Sequence, residues 1–225
     1  MILPTWGIVL GYLLFVVWLF CNQHAHAAPP LSAAGYQLIL DYELGGGQKY
    51  YDRFLQHPEW PGVASGVTVG VGYDCRFNTA KAILNDWAAL AETDRQRLAA
   101  CAGLGGQSAK AKASELRDLT IPWAQAEEVF QERTLTRFYN LTRLTFPRFD
   151  RLPVQVQDAL FSLTFNRGVS RYGASRRELR NIDDICATDG DARKIAAQIR
   201  AMKRLWPTVP GLLKRREAEA RLCEG

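Results

Sequence analysis

The pattern of apolar and polar positions predicts a chain that is mostly helical. The clearest stretch is VQVQDALFSLTFNRG, in which Val156, Ala159, Leu160 and Leu163 fall at positions i, i+3, i+4 and i+7. Gly168 follows directly and is typical of a helix C-terminus. We therefore predict that this stretch is a central, buried helix.

Capping residues and stop signals predict further helices on both sides of it. Ser32 can cap the start of a helix. That helix is predicted to end near Glu43, because the three glycines at 45–47 lose more conformational entropy in a helix than other residues do. Pro122, shortly after Thr120, marks another helix start. The other predicted helices span residues 80–90, 94–102, 108–119, 175–182, 192–205 and 211–223.

Two strands are predicted at 48–54 and 63–74, joined by a proline-rich connection at 57–62. In the second strand, valines and a tyrosine alternate with Thr68, two glycines and Asp74, so one face is apolar and the other is polar. A ligand could lie close to the polar face, but an ordinary hairpin with glycine bulges explains the pattern equally well. The predicted fold class is α+β, mostly helical, with a small antiparallel β-hairpin sheet near the N-terminus.

The length of 225 residues fits one well-cored domain, and the net charge of +5 is modest. Basic residues are spread through the C-terminal half. This favours an anionic partner surface such as a cell wall, and we predict no nucleic-acid partner. A solvated basic helical face is the alternative explanation.

The N-terminal segment predicts export. An uncharged apolar run at 2–21 precedes small residues at Ala25, Ala27 and Ala28, where a signal peptidase could cleave. The run is long for a signal peptide and no basic residue precedes it, so an uncleaved membrane anchor is the alternative. We predict a signal peptide or anchor at 1–28, a folded domain at 29–225, and a periplasmic or inner-membrane-anchored location.

Four cysteines remain after the leader, an even number in a chain predicted to enter an oxidising compartment. We predict two disulfides, preferably Cys75–Cys101 and Cys186–Cys223, and four buried thiols are the alternative. The wide cysteine spacing and the three histidines at 24, 26 and 57 predict no metal site, and we expect no cofactor.

Glu43 is the strongest candidate for chemistry. It is predicted to lie in the last turn of its helix, where unpaired carbonyls disfavour an additional negative charge. That position suits a general acid, which must retain its proton near neutral pH.

Four tracts resemble the phage-type lysozymes, and the local match is strongest to the muramidase domain of pesticin-like bacteriocins. They occur in the family's order over about residues 35–223: Glu43 with WPGVASGVTVGVGYD, then TIPWAQAEEVF, VQDALFSLTFNRG and LWPTVPGLLKRREAEA. The resemblance implies a two-lobed, lysozyme-like fold. It also implies a glycoside hydrolase that cleaves the β-1,4 bond between N-acetylmuramic acid and N-acetylglucosamine in peptidoglycan.

The resemblance assigns roles to single residues. It implies that Glu43 protonates the glycosidic oxygen and that Thr68 helps to hold the attacking water. The second carboxylate is either Asp52, in the place of the T-even phage aspartate, or Asp74, in the place of the pesticin-like aspartate. We prefer Asp74, because an insertion at 57–62 separates Asp52 from the threonine.

The preference for Asp74 requires a bend at Gly70 or Gly72, since a fully extended strand would separate Asp74 from Thr68 by roughly 20 Å.

The resemblance also implies substrate-binding residues. Phe165 resembles an aromatic contact in the substrate cleft, with Asn166 beside it, although a core role explains Phe165 equally well. Arg215 or Arg216 falls where the family places a basic side chain near the catalytic glutamate. A solvated helix face is the alternative for both arginines.

Resemblance to the T-even enzyme implies inversion of configuration by a bound water. The rival functions are a non-catalytic peptidoglycan-binding module and a lytic transglycosylase, whereas the few histidines argue against an amidase or peptidase. The predicted partner is the peptidoglycan glycan strand. Membrane association through 2–21 and an immunity or inhibitor protein are further partners that the sequence leaves open.

Overall fold

The computed structural model describes residues 29–45 and 47–225 of the chain, so the predicted leader at 1–28 lies outside the described residues. The chain is mostly helical and has a small two-stranded antiparallel sheet, which confirms the predicted α+β class. It divides into two compact units. Unit 1 comprises residues 47–136, and unit 2 comprises Pro29–Gly45 and Arg137–Gly225. No helix within 29–45 or 47–225 combines the length and the apolar character needed to span a bilayer.

The described part of the chain contains helices, two short strands and four short 3₁₀ segments. In chain order they are α1 (Ala33–Glu43), α2 (Gly47–Phe54), β1 (Thr68–Val69), β2 (Tyr73–Asp74), α3 (Ala80–Asp86), α4 (Glu92–Ala99), α5 (Gly106–Glu115), α6 (Trp123–Val129), α7 (Thr136–Thr145), α8 (Val154–Arg167), α9 (Arg177–Ala187), α10 (Ala192–Ala201) and α11 (Pro210–Glu224). A π-helical segment, Phe130–Leu135, connects α6 to α7. The 3₁₀ segments are Cys75–Phe77, Phe149–Arg151, Ala174–Arg176 and Met202–Leu205.

The first predicted strand, at 48–54, is wrong, because these residues form helix α2. Its aromatic side chains suit either a strand or a helix, and tertiary contacts decide between the two. Tyr51 is fully buried and donates its hydroxyl to the Ile121 carbonyl at 2.9 Å. Its ring also packs edge-on against Trp123. The helix therefore forms where it can bury Tyr51 beside the start of α6.

The second predicted strand, at 63–74, is a hairpin and not a single strand. β1 pairs with β2 antiparallel, and Thr68 lies opposite Asp74. The intervening Gly70 and Gly72 have φ values of 59° and 75°, a region that glycine enters without steric penalty. The bend that a pairing of Thr68 with Asp74 requires is therefore present.

The centre of unit 2 is helix α8, as predicted. Val156, Ala159, Leu160 and Leu163 are all fully buried, and Gly168 ends the helix with a φ of 71°. Helices α1 and α11 both pack against α8. This packing brings the C-terminal end of α1 close to side chains of α8 and α11.

The two predicted disulfides are not present among the described residues. Cys75, Cys101, Cys186 and Cys223 are all buried free thiols. Both predicted pairs are near enough to interact: the thiols of Cys75 and Cys101 share a hydrogen bond that raises the pKa of Cys75 and lowers that of Cys101, and burial raises the pKa of Cys223 with a contribution from Cys186. Pairing cysteines within one lobe thus predicted which thiols lie near each other, but not that they are free.

Candidate functional site

Glu43 lies at the C-terminal end of α1 with a partly accessible carboxyl group. Its side chain is 22% exposed, and its Oε1 lies 2.6 Å from Nη1 of Arg215. Its other oxygen accepts no hydrogen bond from a residue of the described chain. One oxygen is thus fixed, while the side chain as a whole still reaches solvent.

Arg215, on α11, holds Glu43 from inside unit 2. Its side chain is only 3% exposed, and its Nη2 donates to both the carbonyl and the hydroxyl oxygen of Ser162, each at 3.3 Å. Its guanidinium also lies over the ring of Tyr42, 5.5 Å from the ring centroid. Burial lowers the pKa of Arg215, but the carboxylates of Glu43 and Glu219 outweigh burial, so the net shift of this pKa is upward. Arg215 is therefore a permanently charged, immobilised cation.

Glu219 connects Arg215 to a second buried arginine. Its Oε1 lies 3.2 Å from Nε of Arg215 and accepts from Nη2 of Arg216 at 2.8 Å and from the Ser162 hydroxyl at 2.7 Å. Nε of Arg216 lies 2.8 Å from Oε2 of Glu219 but is not aligned for a hydrogen bond. Burial lowers the pKa of Arg216 to about 10, against the opposing effect of Glu219. We call Glu43, Arg215, Glu219 and Arg216 the ion network; it contains two carboxylates and two guanidinium groups.

The ion network follows from the spacing of residues on α11. Arg215 and Arg216 lie four and three residues before Glu219, the spacing at which side chains meet on a helix. Glu219 and Ser162 were not predicted from the sequence. The signal for Glu219 was present in the RREAE pattern, and the signal for Ser162 was a hydroxyl within the otherwise apolar stretch LFSLTF.

Asn166 and Phe165 lie at the end of α8 and have different surroundings. The side-chain oxygen of Asn166 accepts from Nη2 of Arg216 at 3.0 Å, which attaches Asn166 to the ion network. The half-buried Phe165 ring packs against Phe138 and Phe161, with centroid distances of 4.6 and 5.9 Å. Phe165 therefore belongs to an aromatic cluster of unit 2.

Unit 1 contains Thr68 and the two candidate aspartates. Thr68 is half-buried, and its backbone N–H donates to the Glu59 carbonyl at 2.8 Å. No hydrogen bond joins its hydroxyl to another described residue. Asp52 is exposed on α2 and likewise has no hydrogen bond or ion pair within the described chain.

Asp74 differs from Asp52 because both of its oxygens are occupied. It is 5% exposed and accepts from the N–H groups of Gly66 at 3.1 Å and Arg76 at 2.8 Å. In this way it caps the 3₁₀ segment Cys75–Phe77. Burial raises the pKa of Asp74, and the two backbone hydrogen bonds oppose that rise. Asp74 is thus an integral part of the hairpin.

The structure brings Glu43, Arg215 and Asn166 together within unit 2, while Asp52, Thr68 and Asp74 belong to unit 1. Across residues 29–45 and 47–225, no three of the His, Cys, Asp or Glu side chains are grouped so that they could hold a metal ion.

Residues 37–216 match the model of a family described as a domain of unknown function, DUF8812. The chain belongs to the DUF8812 family. The DUF8812 match includes Glu43, Thr68, Asp74 and both buried arginines, and it covers residues of both units. Comparison with curated proteins found no match.

Proposed function

We propose that this protein is a glycoside hydrolase with a lysozyme-like, two-lobed fold that cleaves the β-1,4 bond between N-acetylmuramic acid and N-acetylglucosamine in peptidoglycan. Glu43 is the general acid. The observation that carries the proposal is a single, partly exposed carboxyl group at a helix end, held by a buried arginine. The resemblance to phage-type lysozymes agrees, because it implies a basic side chain beside the catalytic glutamate.

The chemistry needs a proton donor whose position is fixed. Glycoside hydrolysis starts with a carboxylic acid that protonates the leaving oxygen, and a misplaced donor loses rate steeply. Arg215 is a positioning residue in this proposal, since it holds Oε1 of Glu43 while Ser162 and Glu219 hold Arg215. Asn166 acts one step further away, through Arg216.

Hydrogen bonding within unit 1 changes our preference for the second carboxylate. A carboxylate that activates water must be able to contact that water. Asp74 is 5% exposed and its two oxygens are held by backbone hydrogen bonds, whereas Asp52 is exposed and has no such bond among the described residues. We therefore propose Asp52 as the base and the Thr68 hydroxyl as a second ligand of the water. A bound water predicts inversion of configuration at the sugar.

Replacing Glu43 tests the assignment of the acid. The Glu43→Gln variant is expected to fold normally and to release soluble muropeptides from purified peptidoglycan ~10²- to 10⁴-fold more slowly, the usual range for loss of a general acid. Asp41→Asn is the matched control, because Asp41 is exposed on the same helix and hydrogen-bonded only to Gln37 within the described chain. Near-normal release by Glu43→Gln would show that the acid is misassigned.

Replacing each aspartate separately tests the second group. Asp52→Asn is expected to lower kcat without changing the melting temperature. Asp74→Asn is expected to lower the free energy of unfolding by about 1 kcal/mol, the usual cost of a lost cap. The reverse pattern would restore Asp74 as the base.

Mass spectrometry of the products separates the rival functions. New reducing ends indicate hydrolysis, anhydro ends indicate a lytic transglycosylase, and wall binding without release indicates a binding module.

A further inference from the structure

Unit 2 contains two arginines that no described carboxylate neutralises. Arg167, in the last turn of α8, is only 6% exposed, and its Nη2 donates to the Ser175 carbonyl at 2.8 Å. Arg176, in the 3₁₀ segment before α9, donates from Nη1 to the Arg167 carbonyl at 2.6 Å. Neither guanidinium forms an ion pair with an acid of the described chain. Backbone carbonyls thus fix the positions of both groups but leave their charges uncompensated.

The acids whose charge acts on Arg167 are Glu178 and Glu219, and both are already paired with other residues. Oε1 of Glu178 accepts from Nε of Arg204 at 2.6 Å and from Nη2 of Arg177 at 3.1 Å. Glu219 is shared by the two arginines of the ion network. No acid is left for Arg167, and a buried cation without a counter-charge destabilises a protein.

Arg167 and Arg216 share one aromatic ring. The guanidinium of Arg167 lies over the Trp206 ring, 4.5 Å from its centroid, and that of Arg216 lies 5.8 Å from the same centroid. The ring face attracts both cations but supplies no negative charge. Burial lowers the pKa of Arg167 to about 9, and the charges of Arg176 and Arg216 add to this effect. Arg167 therefore stays charged near neutral pH, close to two other cations.

Arg176 gives this group of cations an accessible edge. Its side chain is half-buried, and its Nε and Nη2 donate to no described group and are not buried. These two nitrogens form one side of the planar guanidinium, which can bind two oxygens of one phosphate or carboxylate. Because Nη1 is fixed on the Arg167 carbonyl, the edge is held beside the charge of Arg167. It is thus an oriented pair of donors next to a buried cation.

We propose that the accessible edge of Arg176 binds a phosphate group, either inorganic phosphate or a phosphate monoester. Two phosphate oxygens accept from Nε and Nη2 of Arg176, and the two negative charges match those of Arg167 and Arg176. A carboxylate fits the same edge but supplies only one charge. The buried nitrogens of Arg167 and Arg216 need not contact the phosphate, because their charges act on it through space. This site lies within unit 2 and does not depend on Glu43 or on the hydrolase proposal.

The experiment is isothermal titration calorimetry of the full chain with inorganic phosphate and with ethyl phosphate at constant ionic strength. At about pH 7.5 a phosphate monoester carries close to two negative charges. Both ligands are expected to bind saturably at one site per chain, and their affinities show whether free phosphate or an ester is preferred. Acetate, with one charge, is expected to bind at least ~10-fold more weakly. Chloride is expected to give no saturable heat.

Substitutions separate this site from general attraction of anions to a basic surface. Arg176→Gln is expected to weaken phosphate binding ~10- to 100-fold, the value of one charge-assisted contact. Arg176→Lys keeps the charge but not the planar pair of donors, so its affinity is expected to be intermediate. Arg180→Gln is the matched control, because Arg180 also donates to carbonyls of this loop, those of Arg171 at 2.7 Å and Gly173 at 3.0 Å. Its affinity is expected to equal that of the unaltered chain.

Three results would each overturn the proposal: phosphate binding that does not saturate, acetate binding as tight as phosphate binding, or equal losses in Arg176→Gln and Arg180→Gln. Melting temperatures without phosphate show whether each variant is folded. If Arg176→Gln does not fold, Arg176→Lys and the comparison of phosphate with acetate still decide. A negative outcome means that the carbonyls and the Trp206 ring alone stabilise these arginines.

Discussion

At the scale of single residues, the ion network allows unit 2 to bury three charged side chains, because each is paired with an opposite charge. Arg215, Arg216 and Glu219 are almost fully buried, and none would be tolerated there alone, because an isolated buried charge is costly. Glu219 links the two arginines, since it faces both of them and the Ser162 hydroxyl. The position of Glu43 therefore depends on a residue that does not touch it.

Removing the charge of Glu219 should be strongly destabilising. We expect Glu219→Gln to lower the free energy of unfolding by about 3–5 kcal/mol, because two buried arginines lose their shared counter-charge. Glu217→Gln is the matched control two residues away on α11. Its side chain is 29% exposed, and it pairs with Lys203, Arg200 and Arg221, and such pairs contribute at most about 1 kcal/mol each. Urea denaturation measures both, and equal losses would contradict the special role of the ion network.

At the scale of elements, the close approach of α1 to α8 places Glu43. Ser32 caps α1 as predicted, and its hydroxyl donates to the buried Asp158 carboxylate at 2.5 Å. Gly35 leaves the space that Asp158 occupies, since a Cβ at position 35 would lie 2.4 Å from the Asp158 carboxyl carbon. The sequence indicated the cap but gave no sign that this glycine serves helix packing.

A methyl group at position 35 should therefore disturb the contact between α1 and α8. We expect Gly35→Ala to destabilise the protein by about 1–3 kcal/mol, the usual cost of overpacking, although alanine is the better helix former. The same substitution in an Asp158→Ala background should cost less, because the clashing carboxylate is absent. Thermal denaturation of the four proteins in this double-mutant cycle gives the coupling energy. A coupling near zero would show that α1 does not depend on this contact.

At the scale of the whole molecule, both units contain buried thiols. Cys75 and Cys101 lie in unit 1, while Cys186 and Cys223 lie in unit 2. Burial raises the pKa of both Cys186 and Cys223 to about 12, which keeps them protonated near neutral pH. Because the thiolate is the reactive form, these two cysteines should be inert in the folded protein.

Thiol labelling of a full-length Cys21→Ser chain tests this arrangement. We expect slow labelling by a thiol reagent in the native state and rapid labelling of all four remaining cysteines in denaturant without reductant. Mass spectrometry counts the labels. Failure to label in denaturant until a reductant is added would show that the cysteines are oxidised in the isolated protein.

The sequence by itself determined the helical character, the centre of unit 2 and where most of the predicted helices start. It did so because periodicity, caps and glycine stops act over a few neighbouring residues, as at Ser32, Val156 and Gly168. It also singled out Glu43 at a helix end, as well as a basic tract on α11. These features are local, so they can be read along the chain.

Only the tertiary structure decided which side chains meet. It turned 47–54 into a helix around Tyr51, assigned Arg215 and not Arg216 to Glu43, and used Asp74 as a backbone cap. It also left the indole N–H of Trp87 without a hydrogen-bond partner among the described residues. Each outcome depends on contacts between residues far apart in sequence, where burial and pairing outweigh local preference, so no pattern along the chain could have determined it.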